Sequence, residues 1–240
     1  MKWYNLLLSS VIFIGFFVSC APAYTPNMVN TPLLTKEGEF QATIGTGTSG
    51  IDPQLAYAIS DQVGVMLNVS YANRSDTGSK NFHKHIFAEM GAGYSIPLGD
   101  HGQFEVYGGG GMGMVDAKYG YHDIFSTYVE DRSSATITRL FLQPTIGLTN
   151  NVFDGSFTTR LIMLNVNNND SAFKSSTWTP YIEPTFTAKV GWKYVKMVFQ
   201  VGYSFHLKEL LNYRNQPFMF SVGLIGKIPG KSKTDQSMAN

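Results

Sequence analysis

The chain has 240 residues, a formal net charge of +1, 15% charged and 14% aromatic residues, 24 glycines and one cysteine. So neutral a chain carries no basic stripe for nucleic acid, a single cysteine excludes an internal disulfide, and a mean hydropathy of −0.07 excludes a bundle of apolar membrane helices. Low charge with many aromatics and glycines suits a sheet whose outer face meets lipid, because such a sheet hides its apolar residues at every second position.

Residues 1–19 open with Lys2, continue through an apolar stretch from Leu6 to Val18 and stop at Ser19. That pattern predicts a signal peptide, its apolar part too short to span as a helix. Phe17-Val18-Ser19-Cys20 resembles the lipobox of bacterial lipoproteins, which implies lipid attachment at Cys20. Residues 20–37, beginning Cys20-Ala21-Pro22-Ala23-Tyr24-Thr25-Pro26, read as an extended, acylated linker.

From Gly38 to Ile228 the sequence predicts about ten strands. The first three run near Glu39 to Thr46, Gln54 to Ile59 and Val63 to Ala72, the third with Val65, Leu67, Val69 and Tyr71 facing away from Gly64, Met66, Asn68 and Ser70. A polar loop, Asn73 to Asn81, precedes the clearest hairpin. There Ile86, Ala88, Met90, Ala92, Tyr94 and Ile96 oppose Phe87, Glu89, Gly91, Gly93 and Ser95, and after a tight turn Phe104, Val106, Met112 and Met114 oppose Glu105, Tyr107, Gly109, Gly111 and Gly113. A period of two is the period of a strand.

Ala117 to Ser134, rich in tyrosine and charge, reads as a solvated loop. Strand six sets Leu140, Leu142, Ile146 and Leu148 against Arg139, Phe141, Gln143 and Thr145; strand seven sets Phe157, Leu161 and Met163 against Thr158 and Arg160. An Asn-rich loop, Asn165 to Thr177, leads to strand eight, where Ile182, Phe186, Ala188 and Val190 oppose Glu183, Thr185, Thr187 and Lys189. Strand nine aligns Val195, Met197, Phe199, Val201, Tyr203 and Phe205. Strand ten aligns Phe218, Phe220, Val222 and Leu224. Residues 229–240 form a polar tail.

No linker interrupts the strands, and short connections alternate with mostly longer ones. The expected fold is therefore all-β: an antiparallel up-and-down transmembrane β-barrel, short turns on the periplasmic side and longer loops outside. An even strand count places both termini on the periplasmic side. Tyr71, Tyr94, Phe104, Trp192, Tyr203 and Phe218 are positioned for interfacial girdles. Pro144 and Pro184 fall in mid-strand, where each removes a ladder donor, and predict local bulges.

Together with the lipobox, the phrases Gly38-Glu39-Phe40-Gln41-Ala42 and Gln54-Leu55-Ala56-Tyr57-Ala58-Ile59-Ser60-Asp61 give a chain that resembles outer-membrane β-barrel lipoproteins of the Bacteroidota type. That resemblance implies an outer-membrane location in a Gram-negative cell envelope, handling by lipoprotein-processing and barrel-assembly machinery, and no established enzymatic activity.

With apolar faces outward, Glu89, Glu105 and Glu183 point inward with Arg139, Arg160 and Lys189. Balanced signs suit pairing in a narrow, plugged lumen better than a selective channel, which favours rings of one sign. Gly108, Gly110 and Gly113 satisfy G-x-G-x-x-G, but no helix follows to meet a pyrophosphate, so the glycines read as permitting curvature or close packing in a wall. His83 and His85, and His122 beside Asp123, have no adjacent nucleophile in sequence and read as interface or loop residues. Asp170-Ser171-Ala172 resembles a short bacterial O-glycosylation sequence, with Ser171 as acceptor. No cofactor or metal ligand set is legible. The sequence reading is a structural or surface-interaction barrel in contact with outer-membrane lipid; a channel for small or apolar solutes is the alternative and a rim-located lipid-modifying or proteolytic enzyme the third.

Overall fold

The computed structural model describes residues 24–75, 81–122, 128–168, 176–207 and 216–231. Cys20, the leader before it and Ser171 lie outside these residues, as does most of the polar tail.

Among the described residues the strands are β1 (Phe40–Gly47), β2 (Gly50–Ala58), β3 (Val63–Ser75), β4 (Phe82–Leu98), β5 (Gly102–His122), β6 (Tyr128–Thr149), β7 (Phe153–Asn168), β8 (Ser176–Gly191), β9 (Val195–Tyr203), β10 (Phe205–His206) and β11 (Phe218–Ile228). β1 to β9 each pair antiparallel with their neighbours in sequence, β9 pairs onward with β11, and β1 closes the sheet against β11. The two-residue β10 continues β9 past Ser204, since both pair with β8 in one register. The wall is thus a closed antiparallel barrel ten strands around. Closure leaves no unpaired edge.

Alternation decides which solvent each face meets. Met90 and Met112 are 67% and 68% exposed on the outer surface while Glu89, next to Met90 on β4, is 2% exposed, and the same division runs through the other strands. Among the described residues no helix is long and apolar enough to cross a membrane; the outward apolar band is carried by strands. Tyr71 pairs with Ile86 at one level and Tyr94 with Val63 at another. Eight residues of β4 separate those levels (94 − 86), about 26 Å of strand at roughly 3.3 Å per residue. Tilted by about 40°, that is roughly 20 Å of height, comparable with the ~25 Å apolar band of membrane barrels.

Two expected loops are shorter than the composition implies. β5 and β6 stay paired up to His122↔Tyr128, inside the predicted Ala117–Ser134 loop. β7 and β8 likewise stay paired up to Asn167↔Ser176. Backbone pairing does not need an apolar face once a hairpin has left the membrane, so polar composition there conceals strand.

The prolines do not make bulges. Pro144 pairs with Val106 of β5, and on its β7 side the ladder lapses between Leu142↔Leu161 and Thr145↔Thr158, then resumes in unchanged register. Pro184 pairs with Thr159 of β7, and the ladder toward β9 and β10 lapses between Thr185↔Gly202 and Phe205↔Ile182. Pro53 shows the same pattern, paired with Ile44 and followed by a lapse toward β3. A missing donor costs a ladder bond on one side, and no extra residue is inserted to absorb it. An inward polar pair spans one of these lapses, where Ser204 Oγ donates to Glu183 at 2.9 Å.

The wall begins and ends at one rim, where Phe40 and Ile228 are partners. This rim also carries the three- and four-residue connections 59–62, 99–101, 150–152 and 192–194, while the opposite rim carries the two-residue turn 48–49 and all the longer connections. The chain ahead of β1, expected as an extended linker, turns at Lys36–Gly38, and its described part from Tyr24 runs inside the barrel.

Candidate functional site

Residues 26–34 are buried without interruption. The contacts of this segment descend the wall in order. Tyr24 and Asn27 meet Arg139 of β6, Asn30 meets Gln143, and Leu33 packs at Gly147, one strand followed from its upper half to the short-turn rim. β8 gives the same sequence, with Glu183 at Tyr24 and Lys189 at Thr31. At the upper end the Tyr24 carbonyl accepts from the backbone of Gln216, just ahead of β11.

A strand inside a barrel has no neighbouring backbone within ladder distance, yet each buried N–H and C=O needs a partner. Long inward side chains supply them. The Gln200 amide accepts from Val29 N–H at 2.7 Å and donates to its carbonyl at 2.9 Å. Gln54 donates to the Met28 carbonyl and Gln143 to that of Asn30, both at 2.7 Å, and Gln103 donates to that of Leu34. Asp52 accepts from Met28 N–H at 3.2 Å and Glu105 from Leu33 N–H at 3.1 Å. Pro26 and Pro32 present no N–H to satisfy.

Glycines make the room. A Cβ on Gly45 would stand 2.3 Å from Met28 Sδ, one on Gly64 2.8 Å from Leu34, and one on Gly147 2.9 Å from Leu33. In the glycine-rich β5, inward Gly109 and Gly113 leave space for Phe141 and Phe87. Leu33 itself has φ of 51°, a left-handed conformation uncommon for a branched residue.

Of the six charges expected in the lumen, four converge. Arg139 Nε lies 3.1 Å from Glu89 Oε2, with a second, shorter contact from Nη2, and Arg160 holds Glu183 at 2.6 Å and approaches Glu89 at 3.5 Å. Asn27 Oδ1 accepts from Nη2 of both arginines, at 2.7 and 3.2 Å. The Tyr24 hydroxyl donates to Glu183 at 2.9 Å and accepts from Arg139 at 3.0 Å. The Arg139 guanidinium also stacks 4.4 Å above the Phe87 ring. Two carboxylates meet two guanidiniums, so the cluster is neutral, which offsets much of the several kcal/mol that each isolated buried ion costs.

Glu105 and Lys189 do not join it and do not form an ion pair with each other among the described contacts. They stand nearer the short-turn rim and hold the threaded backbone, Glu105 at Leu33 N–H and Lys189 at the Thr31 carbonyl. Sequence reasoning missed a second cluster there: Asp154 accepts from Lys196 at 2.6 Å, Lys227 at 2.9 Å and Thr149 at 2.6 Å. The parity that exposed Glu89 would have exposed it, since Lys196 lies between outward Val195 and Met197.

The histidines of β4 do meet a hydroxyl. Ser70 Oγ is 3.0 Å from His85 Nε2, and His85 Nδ1 is 2.8 Å from His83 Nε2, the connectivity a nucleophile, base and orienting group require. The cavity they share with Tyr24, Thr25 and Arg139 measures about 20 Å³. That is room for about one water molecule beside the Ser70 hydroxyl, while His85 also borders an open cavity of about 370 Å³ with Tyr71, Lys84 and Asp116. Among the described residues no three or more His, Cys, Asp or Glu side chains are grouped to hold a metal ion.

No family model matches the chain, and no curated protein does. Among solved structures, the β domain of the Bordetella autotransporter BrkA superposes at TM-score 0.40 with 10% identity, over 79% of this chain and 98% of that one.

Proposed function

We propose that this chain is an outer-membrane β-barrel lipoprotein, anchored additionally through Cys20, whose lumen is closed by its own N-terminal segment and whose role is structural or surface-interacting rather than conductive. One observation carries the reading: the buried run 26–34 fills the lumen along its axis and is hydrogen-bonded to most of the surrounding strands. A solute channel needs an open path lined by groups that bind weakly. Here the inward glutamines, acids and bases spend their hydrogen bonds on chain already in place.

The outward apolar band supports placement in lipid, and the inward charge pairs support a dry, filled interior. Purified protein in planar bilayers tests the reading. Stepwise ion conductance by the unaltered chain would sink it in favour of the channel alternative. Palmitate incorporation that disappears in Cys20→Ala tests the anchor separately.

A further inference from the structure

The threaded segment has a direction. Thr35 binds Glu39 at the short-turn rim, with Thr35 N–H 2.9 Å from the carboxylate, and Tyr24 binds Gln216 at the rim of the longer connections. The C-terminal end of the wall, Ile228, is at the short-turn rim beside Phe40. The two directions in which the chain leaves the barrel are therefore opposite. An even number of strands would by itself put them together.

Cys20 is four residues ahead of Tyr24 (24 − 20), at most about 14 Å of extended chain. The apolar band is about 25 Å tall, and the lumen below Tyr24 is occupied by the segment itself. From Tyr24 the chain cannot return to the short-turn side within four residues. We infer that the N-terminal end of this protein is presented on the long-connection face, and that an acyl group on Cys20 enters the leaflet on that face, the outer one, instead of the periplasmic leaflet. This rests on the membrane placement and acylation proposed above, and on short turns marking the periplasmic side. A surface-facing anchor and a filled lumen are then one device: drawing the segment back through the barrel would require the acyl chains to pass the polar lumen.

Sidedness is measured on the full chain in intact cells. Ala23→Cys and, in a second variant, Ser237→Cys in the C-terminal tail are exposed to a membrane-impermeant maleimide before and after lysis, with the parent chain setting the background. Ala23→Cys is expected to react fully on intact cells, and Ser237→Cys only after lysis. A third variant, with a short epitope between Ala23 and Tyr24, is expected to bind antibody on intact cells. Protection of both N-terminal probes until lysis, or reaction of Ser237→Cys on intact cells, overturns the inference. Palmitate labelling in the same cells separates the two readings. Absent label with a reactive Ala23→Cys defeats the lipid anchor and leaves the threading. Present label with protected N-terminal probes defeats the threading direction and leaves the anchor.

Discussion

The side-chain amide of Gln200 pairs with the main chain of Val29 as a neighbouring strand would, accepting at 2.7 Å and donating at 2.9 Å. Both residues are nearly completely buried, so neither set of groups reaches bulk solvent for an alternative partner. Gln200→Leu strands one N–H and one carbonyl, each costing about 1–3 kcal/mol, while Gln200→Glu keeps the acceptor. Urea denaturation in detergent, followed by the mobility difference between boiled and unboiled samples, is expected to give a lower midpoint for both, with Leu the more severe.

The arginine cluster predicts an order of severity. Glu89→Gln leaves Arg139 with only neutral partners, Tyr24 and Asn27, whereas Arg139→Met leaves Glu89 with Arg160 at 3.5 Å. Removing one member of a buried pair costs about 3–5 kcal/mol, and the Glu89 variant is expected at the upper end. The double variant Glu89→Leu/Arg139→Met is expected to recover part of the loss. Equal losses in both single variants, additive in the double, would show that the pair is not coupled.

Gly147 faces Leu33 where the segment bends. Gly147→Val places its Cβ 2.9 Å from both Leu33 Cδ1 and the Gly155 carbonyl, displacing the segment or straining the wall. Conductance in planar bilayers is expected to rise above the unaltered chain, and Leu33→Ala in the same molecule is expected to reduce that rise. A variant that stays closed would show that the segment is not what seals the lumen.

On the outer face, Met90 sits at mid-height between Tyr71's level and Tyr94's, paired with Leu67 and Gly110. Met90→Arg puts a cation in lipid near the midplane, at roughly 2–4 kcal/mol, and assembled barrel recovered from membranes is expected to fall. Lys84→Arg, at the upper end of the same strand, is expected to leave it unchanged.

The Ser70–His85–His83 chain gives a test of the enzyme alternative. With about 20 Å³ beside the hydroxyl, a fluorophosphonate probe is expected not to label the folded protein. Labelling that is lost in Ser70→Ala would establish a nucleophile and reopen hydrolysis.

Much of the wall was legible from the chain alone. Period-two alternation is a local property, so Ile86, Met90, Leu140 and Phe186 could be assigned to the outer face and Glu89, Arg139, Arg160 and Glu183 to the inner one without knowing which strands were neighbours. The same local rule applied to β9 would have found Lys196. Composition misled where strands leave the membrane, at 117–134, because there neither face need be apolar.

The contents of the lumen were decided only in three dimensions. Residues 24–35 show no alternation, and their partners lie far off in sequence, Val29 with Gln200 and Asn30 with Gln143. What fixes that segment is the cylinder of inward amides, acids and cations, which exists only once the sheet has closed. By itself the sequence determined an outward apolar wall and an inward set of charges. The tertiary structure decided that residues 26–34 run through the barrel, from Tyr24 beside Gln216 to Thr35 beside Glu39, because unpaired backbone in a closed lumen is stable only where the surrounding strands supply it with donors and acceptors.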